Sequence, residues 1–182
     1  MMSDTQLIQG GRQVQDVFGR RYRVGERDRD LLGHPRHWVA AAAWLAMLAV
    51  STMQYGFGVL VPELAGSHGS RLSALWWALA VWVMCQSAVM MPLIRRWRLL
   101  RTAPRASTAL GAVLCAAGLF SLAHSSSPVL LIVGYGVMGG FGAGLVYLSC
   151  IRVVAGWYPD RPARVATVSG AFCYGSIPFI LI

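Results

Sequence analysis

The chain has 182 residues, of which 56% are hydrophobic and 13% are charged. Soluble domains average about 45–50% apolar and about 25% charged residues, so this composition excludes an ordinary soluble fold and favours an integral membrane protein. The net charge of +9 comes from 16 basic residues, all of them arginine. A basic chain can bind nucleic acid, but these arginines lie between apolar runs, where membrane proteins place them, so nucleic-acid binding is disfavoured.

Residues 1–36 form a polar head with seven arginines and five acidic residues. The head has no apolar core of the kind found in secretory signal peptides, so it is not read as a cleavable signal. Two interpretations stay open for it. The head is either a disordered cytoplasmic tail, or the segment Val17–Val24 rests on anionic lipid.

Five apolar segments follow, and a helix of about 20 residues suffices to cross a bilayer. The predicted spans are residues 38–61, 72–94, 106–123, 128–151 and 165–182. The fifth is still apolar at Ile182. A helix that stopped inside the membrane would leave carbonyl groups in lipid, so we expect this chain to be part of a longer protein or a frameshift product.

The orientation follows from the arginines of the connecting segments, because cytoplasmic loops of membrane proteins are enriched in basic residues. The head has seven arginines, and the four segments that follow have one, five, none and two, with Arg152 in addition directly after the fourth span. This alternation predicts a multi-pass protein of the cell membrane, such as a bacterial inner membrane. It places the N-terminus and the second and fourth connecting segments in the cytoplasm.

The fourth span is rich in glycine and contains a literal G-x-G-x-x-G at Gly134, Gly136 and Gly139. Dinucleotide-binding loops need this motif between a strand and a helix, with an acid about 20 residues further on, so a nucleotide site is disfavoured inside an apolar run. Gly136, Gly140 and Gly144 are instead four residues apart and share one helix face. Such a face predicts close packing of a neighbouring helix.

Few polar side chains lie inside the spans. Gln54 should face the bundle interior or a water-filled cavity, because an amide in hydrocarbon needs a partner. An interhelical hydrogen bond without any ligand is the alternative. Tyr55, Tyr147 and Tyr174 lie well inside their spans, which favours inward-facing roles over anchoring at the membrane surface.

The spans contain no pair of residues suited to catalysis. Beyond the head, the acidic residues are Glu63 and Asp160, and both are expected in loops between the spans. Without a carboxylate pair or a nucleophile beside a base, an enzyme is not expected. The four cysteines all lie in apolar stretches without CxxC spacing or nearby histidines, so neither a metal site, nor a disulfide, nor a cofactor is expected.

Three segments carry a family resemblance: Gln54–Pro62, Gly140–Tyr147, and Trp157–Arg161, which reads Trp-Tyr-Pro-Asp-Arg. Together they resemble the oxalate/formate antiporter family of the major facilitator superfamily. The resemblance covers about residues 38–180, equivalent to the first five of the twelve helices of that superfamily. It implies an all-α membrane bundle of which this chain is the N-terminal half, with four complete helices and a truncated fifth.

In that family, aromatic and amide side chains of helices 1, 2, 4 and 5 line a cavity for a small carboxylate. The resemblance places five residues at those positions, the third of them by a looser match: Gln54, Tyr55, Trp77, Tyr147 and Tyr174. Two departures stand out. The segment Pro92–Arg101 keeps the usual basic residues but lacks the glycine and aspartate of the superfamily. The basic residues that neutralise the substrate belong to the family's second half.

The sequence thus predicts a secondary transporter of a small organic anion, such as oxalate or formate, that works by alternating access. Its partners would be the lipid bilayer, the anion and a C-terminal helical half. Two alternatives stay open. One is a transporter of the same fold for another solute, such as a drug or a sugar. The other is a non-transporting membrane scaffold or remnant.

Overall fold

The computed structural model describes residues 13–15, 21–23, 37–68, 72–89, 104–124, 127–158 and 163–180. Several sequence-based predictions lie outside these ranges. They concern most of the polar head, the end of the second predicted span (residues 90–94), the basic segment Pro92–Arg101, and residues 181–182.

The described part of the chain is helical from residue 37 onward. In chain order the helices are α1 (His37–Tyr55), α2 (Phe57–His68), α3 (Leu72–Val89), α4 (Pro104–His124), α5 (Pro128–Trp157), α6 (Ala163–Tyr174) and α7 (Ile177–Ile180). Helices α1, α3, α4 and α5 are long and apolar enough to cross a membrane. The prediction of a helical, membrane-type fold is therefore confirmed at this level.

The head contributes a short two-stranded ribbon that the sequence analysis did not predict. Strand β1 (Gln13–Gln15) pairs antiparallel with β2 (Arg21–Arg23), and Val14 lies opposite Tyr22. The all-helical prediction thus describes the membrane-type part of the chain and not the head.

The first predicted span, residues 38–61, is divided at Gly56, which separates α1 from α2. The Gly56 N–H still donates to the Thr52 carbonyl at 2.8 Å. A Cβ atom added to Gly56 would lie 2.6 Å from the ring of Phe179 and 2.7 Å from the Thr52 oxygen. Glycine at this position therefore lets Phe179 of α7 approach the break in the first span.

The fifth predicted span, residues 165–182, is divided in the same way, at Gly175 and Ser176 between α6 and α7. A Cβ atom added to Gly175 would overlap the side chain of Ser51 on α1. The two breaks consequently pack against each other, because Gly175 lies against α1 and Phe179 lies against Gly56.

Helix α5 is the centre of the bundle and contacts α1, α3, α4 and α6. It consists of a short α-helical start (Pro128–Leu131), a π-helical segment (Ile132–Gly139) and a longer α-helix (Gly140–Trp157). The π segment coincides with the glycine-rich part of the motif. Segments of this kind are rare and commonly mark functional or strained places in a helix.

The face of α5 that carries Gly136, Gly140 and Gly144 packs on α3. A Cβ atom added to Gly136 would lie 3.0 Å from the Ala78 carbonyl oxygen, and one added to Gly144 would lie 2.8 Å from that of Gln86. One added to Gly140 would overlap the carbonyl oxygen of Trp82. Since the partners on α3 are also four residues apart, the two helices meet backbone to backbone along about two turns.

A second glycine contact joins α5 to α4. A Cβ atom on Gly142 would lie 2.6 Å from the Gly111 carbonyl oxygen, and one on Gly111 would lie 2.8 Å from that of Gly142. One turn before Gly111 on α4 and two turns after Gly142 on α5, the buried hydroxyl groups of Ser107 and Ser149 form a hydrogen bond of 2.7 Å. This interface was not predicted from the sequence, although Gly111 and Gly118 are seven residues apart and therefore share a face of α4.

Helix α5 runs to Trp157, six residues beyond the predicted end of the fourth span at residue 151. It ends there because Pro159 follows Tyr158, and a residue before proline disfavours the helical conformation. Trp157 and Tyr158 are both buried. The Arg164 guanidinium lies 5.8 Å from the centre of the Tyr158 ring, within the range of a cation–π contact.

Candidate functional site

Three helices bring two of the predicted cavity residues together. The rings of Tyr55 on α1 and Tyr147 on α5 both meet Phe172 on α6, edge to face, with ring centres 6.0 Å and 5.5 Å apart. All three side chains are partly buried. We name Tyr55, Tyr147, Ser169 and Phe172 the tyrosine cluster.

Ser169 belongs to the cluster through its hydroxyl group. Its Oγ lies 2.6 Å from the Tyr147 hydroxyl oxygen, and either group can be the donor. Ser169 and Phe172 are three residues apart and so lie on the same face of α6. One face of α6 therefore holds Tyr147 by two contacts, one polar and one aromatic.

Gln54 continues the buried face of α1, one turn beyond Val50 and Ser51, which are both buried. The Gln54 side chain is partly buried, and its Oε1 atom is fully enclosed without a hydrogen-bond partner among the described residues. A carboxamide can turn about its last bond and present either its oxygen or its NH2 group at the same place. Gln54, next in sequence to Tyr55, therefore has a buried polar atom that forms no hydrogen bond with the described residues.

Two predicted residues are placed away from the tyrosine cluster. The Tyr174 side chain is 51% exposed, and its ring centre lies 6.2 Å from that of Trp44. Trp77 is 63% exposed on α3. The tryptophan that α3 buries against α5 is Trp82, five residues further along.

Trp82 is part of a buried aromatic stack that is separate from the tyrosine cluster. Tyr135, in the π segment, lies between Phe57 and Trp82, with ring centres 4.9 Å and 6.3 Å away and nearly parallel planes. The Tyr135 hydroxyl donates to the Met53 carbonyl at 2.8 Å. The indole Nε1 of Trp82 is enclosed without a partner among the described residues.

Ser169 and Phe172 were not predicted from the sequence. A weak signal existed, since both lie in the predicted fifth span with a spacing of three, and Phe172 precedes the Cys173–Tyr174 pair. A serine and a phenylalanine are, however, common in any membrane helix. Only the packing of α6 on α1 and α5 identifies them as neighbours of Tyr147.

The hydroxyl groups of the cluster, and the carboxamide of Gln54, can form hydrogen bonds. Tyrosine and serine hydroxyl groups and a carboxamide can each donate to an anion without carrying a charge. Within the described ranges, no group of three or more His, Cys, Asp or Glu side chains is arranged to hold a metal ion. The four cysteines of the described helices are free thiols.

The chain resembles a known protein in sequence. The chain is 32% identical over 127 residues to a protein of Thermoproteus tenax named "Uncharacterized 38 kDa protein in 23S RNA operon". The match covers 70% of this chain and 33% of that relative, so the chain spans about a third of the relative's length. No family model matches the chain. No solved structure matches it.

Proposed function

We propose that this chain forms part of a secondary transporter for a small organic anion that works by alternating access. The observation that carries the proposal is the convergence of Tyr55 and Tyr147 on one residue of α6, together with the buried Oε1 of Gln54, next in sequence to Tyr55, which has no hydrogen-bond partner among the described residues. Polar groups inside membrane helices are costly, and those without a protein partner are the ones that a ligand can use.

The chemistry of these groups suits a carboxylate. A carboxylate that leaves water needs several hydrogen-bond donors to offset its desolvation. Two phenol hydroxyl groups and one amide supply such donors from a neutral surface, and the rings offer flat walls that fit a planar anion such as oxalate or formate. The remaining charge would be neutralised by basic residues elsewhere in the complete protein.

The packing of α5 is compatible with this role. Its glycine contacts with α3 and α4 bring the helix backbones together, so these three helices form a closely packed unit. In alternating access, whole helical units rock about a central site with little change inside each unit. The tyrosine cluster lies where α5 meets α1 and α6, with Tyr147 three residues beyond Gly144.

The test is exchange in proteoliposomes that contain the complete protein. Vesicles loaded with unlabelled oxalate or formate should take up the labelled anion, and a neutral sugar or a cationic drug should not compete. Gln54→Leu should lower the uptake about tenfold or more, since a hydrogen bond to a charged group contributes about 1.5–3 kcal/mol. Gln86→Leu makes the same change on α3 and should leave uptake near the wild-type rate.

The other outcomes select the alternatives. Transport of a neutral solute or drug without the carboxylates would indicate a transporter of the same general kind with another substrate. Folded protein that moves no solute would indicate a non-transporting scaffold. Equal uptake by Gln54→Leu and Gln86→Leu would remove Gln54 from the site.

A further inference from the structure

We infer that Ser169 is a positioning residue for anion binding: it fixes the Tyr147 hydroxyl and directs the phenolic proton toward the bound carboxylate. The inference rests on the proposed function and adds a residue to its site. Ser169 does not need to touch the anion. Its role is exerted through the 2.6 Å hydrogen bond to Tyr147.

The geometry leaves Tyr147 little freedom. Its ring stands nearly perpendicular to that of Phe172, at an interplanar angle of 79°, and its hydroxyl oxygen is held at hydrogen-bond distance from Ser169. Both partners project from one face of α6, so their spacing is set by a single helix. The Tyr147 side chain is therefore held at its ring by Phe172 and at its hydroxyl by Ser169 before any ligand arrives.

The donor and acceptor roles of the pair can change when an anion binds. Each hydroxyl has one proton and two lone pairs, so one proton of the pair is always left to donate elsewhere. A carboxylate is a stronger acceptor than a serine hydroxyl and takes its hydrogen bond from the more acidic phenol. Ser169 then donates to the phenol oxygen, which strengthens the bond from Tyr147 to the anion, because consecutive hydrogen bonds polarise one another.

This arrangement also explains what the site does when it is empty. With no anion present, Tyr147 can donate to Ser169, so neither hydroxyl loses its partner inside the bundle. A tyrosine without such a neighbour would be left with an unsatisfied donor after each substrate release. Ser169 thus keeps the cluster in the same geometry in the loaded and unloaded states.

The experiment measures the KM and the maximal rate of carboxylate exchange by the complete protein in proteoliposomes. Ser169→Ala should raise the KM about three- to tenfold with little change in the maximal rate. Ser169→Thr keeps the hydroxyl and should restore the wild-type KM. In a Tyr147→Phe background, Ser169→Ala should have no further effect, because the group through which it acts is already gone.

Ser107→Ala is the matched control. It also removes one hydroxyl from a 2.7 Å interhelical hydrogen bond to α5, but on the α4 side and away from the cluster. It should leave the KM unchanged even if it lowers the thermal stability. If Ser169 had a merely structural role, Ser169→Ala and Ser107→Ala would change the KM in the same way, and that result would overturn the inference.

Failure of the inference and failure of the proposed function give different results. If the wild type exchanges carboxylates and Ser169→Ala has the wild-type KM, the inference is wrong and the proposed function stands. If Ser169→Thr is as impaired as Ser169→Ala, or if Ser169→Ala still raises the KM in the Tyr147→Phe background, the inference is also wrong. If the folded wild type exchanges no carboxylate, both proposals fall.

Discussion

Tyr135 and Tyr147 lie on the same helix, yet the structure gives them different surroundings. The Tyr135 side chain is 0% exposed, stacked between two aromatic rings, and its hydroxyl is used by the Met53 carbonyl. The Tyr147 side chain is partly buried, and among the described residues its hydroxyl forms a hydrogen bond with another hydroxyl, in which either group can be the donor. The Tyr147 hydroxyl can therefore donate a hydrogen bond to a ligand, whereas the Tyr135 hydroxyl already donates to a protein carbonyl.

We expect Tyr135→Phe to lower the free energy of unfolding by about 1 kcal/mol, the usual net worth of a hydrogen bond in proteins, including membrane proteins. The substitution removes the hydrogen bond to the Met53 carbonyl. The ring stays packed, so no further loss is expected. Tyr174→Phe, at a half-exposed side chain, should change the stability by less than about 0.5 kcal/mol. Thermal or denaturant unfolding in detergent micelles measures both, and equal effects would contradict this account of Tyr135.

At the scale of elements, the close contacts of α5 with its neighbours depend on glycine residues, which have no side chain. Gly136, Gly140 and Gly144 bring the backbone of α3 close, and Gly142 does the same for α4. The same helix also contains the π segment, so its register changes between its first turns and Gly140. The glycine residues and the π segment together decide which side of α5 faces each neighbour.

We expect Gly144→Ala to destabilise the bundle by about 1–3 kcal/mol, the usual cost of forcing extra atoms into a packed interior. The new methyl group would lie 2.8 Å from both the Gln86 carbonyl oxygen and the Val89 Cβ atom. Gly170→Ala on α6 is the matched control, because a Cβ atom there meets nothing within 4 Å. Alanine also favours a helix over glycine by about 1 kcal/mol, so the control should be neutral or stabilising.

The comparison is made by thermal unfolding of the two purified variants beside the wild type. A Gly144→Ala variant as stable as Gly170→Ala would show that α3 and α5 can separate at no cost. That result would also remove the argument that α3, α4 and α5 move as one packed unit.

At the scale of the whole molecule, the structure describes the helices and their packing. The direction in which they would cross a membrane is predicted from the arginines of the connecting segments. The segment between α3 and α4 carries four arginines and a fifth, Arg105, is the second residue of α4, whereas the segment between α4 and α5 carries none. Arginine-rich segments are retained on the cytoplasmic side during insertion. This difference predicts that the two ends of α4 lie on opposite sides of the membrane, with its start in the cytoplasm.

Single added cysteines test the orientation. Ser125→Cys, after α4, should react with a membrane-impermeant maleimide on intact cells, whereas Thr102→Cys, before α4, should react only after the membrane is permeabilised. The unchanged chain, whose four cysteines lie in the described helices, gives the background labelling. Labelling of Thr102→Cys alone on intact cells would reverse the proposed topology.

The amino-acid sequence was sufficient to predict the helical membrane-type fold and the glycine-lined face of α5. Both depend on local properties, namely the length of an apolar run and the four-residue spacing of glycine. The sequence also indicated Gln54, Tyr55 and Tyr147 as polar groups inside spans. It could not indicate the breaks at Gly56 and Gly175, because each exists where a distant segment packs against the glycine.

The rotation of each helix about its axis is decided only by the tertiary structure. Helix α3 is apolar on all sides, so its sequence does not show which tryptophan faces the bundle. Packing against the glycine face of α5 buries Trp82 and leaves Trp77 exposed. The same applies to Ser169 and Phe172, since side chains on three separate helices become neighbours of Tyr147 only when α6 packs against α1 and α5.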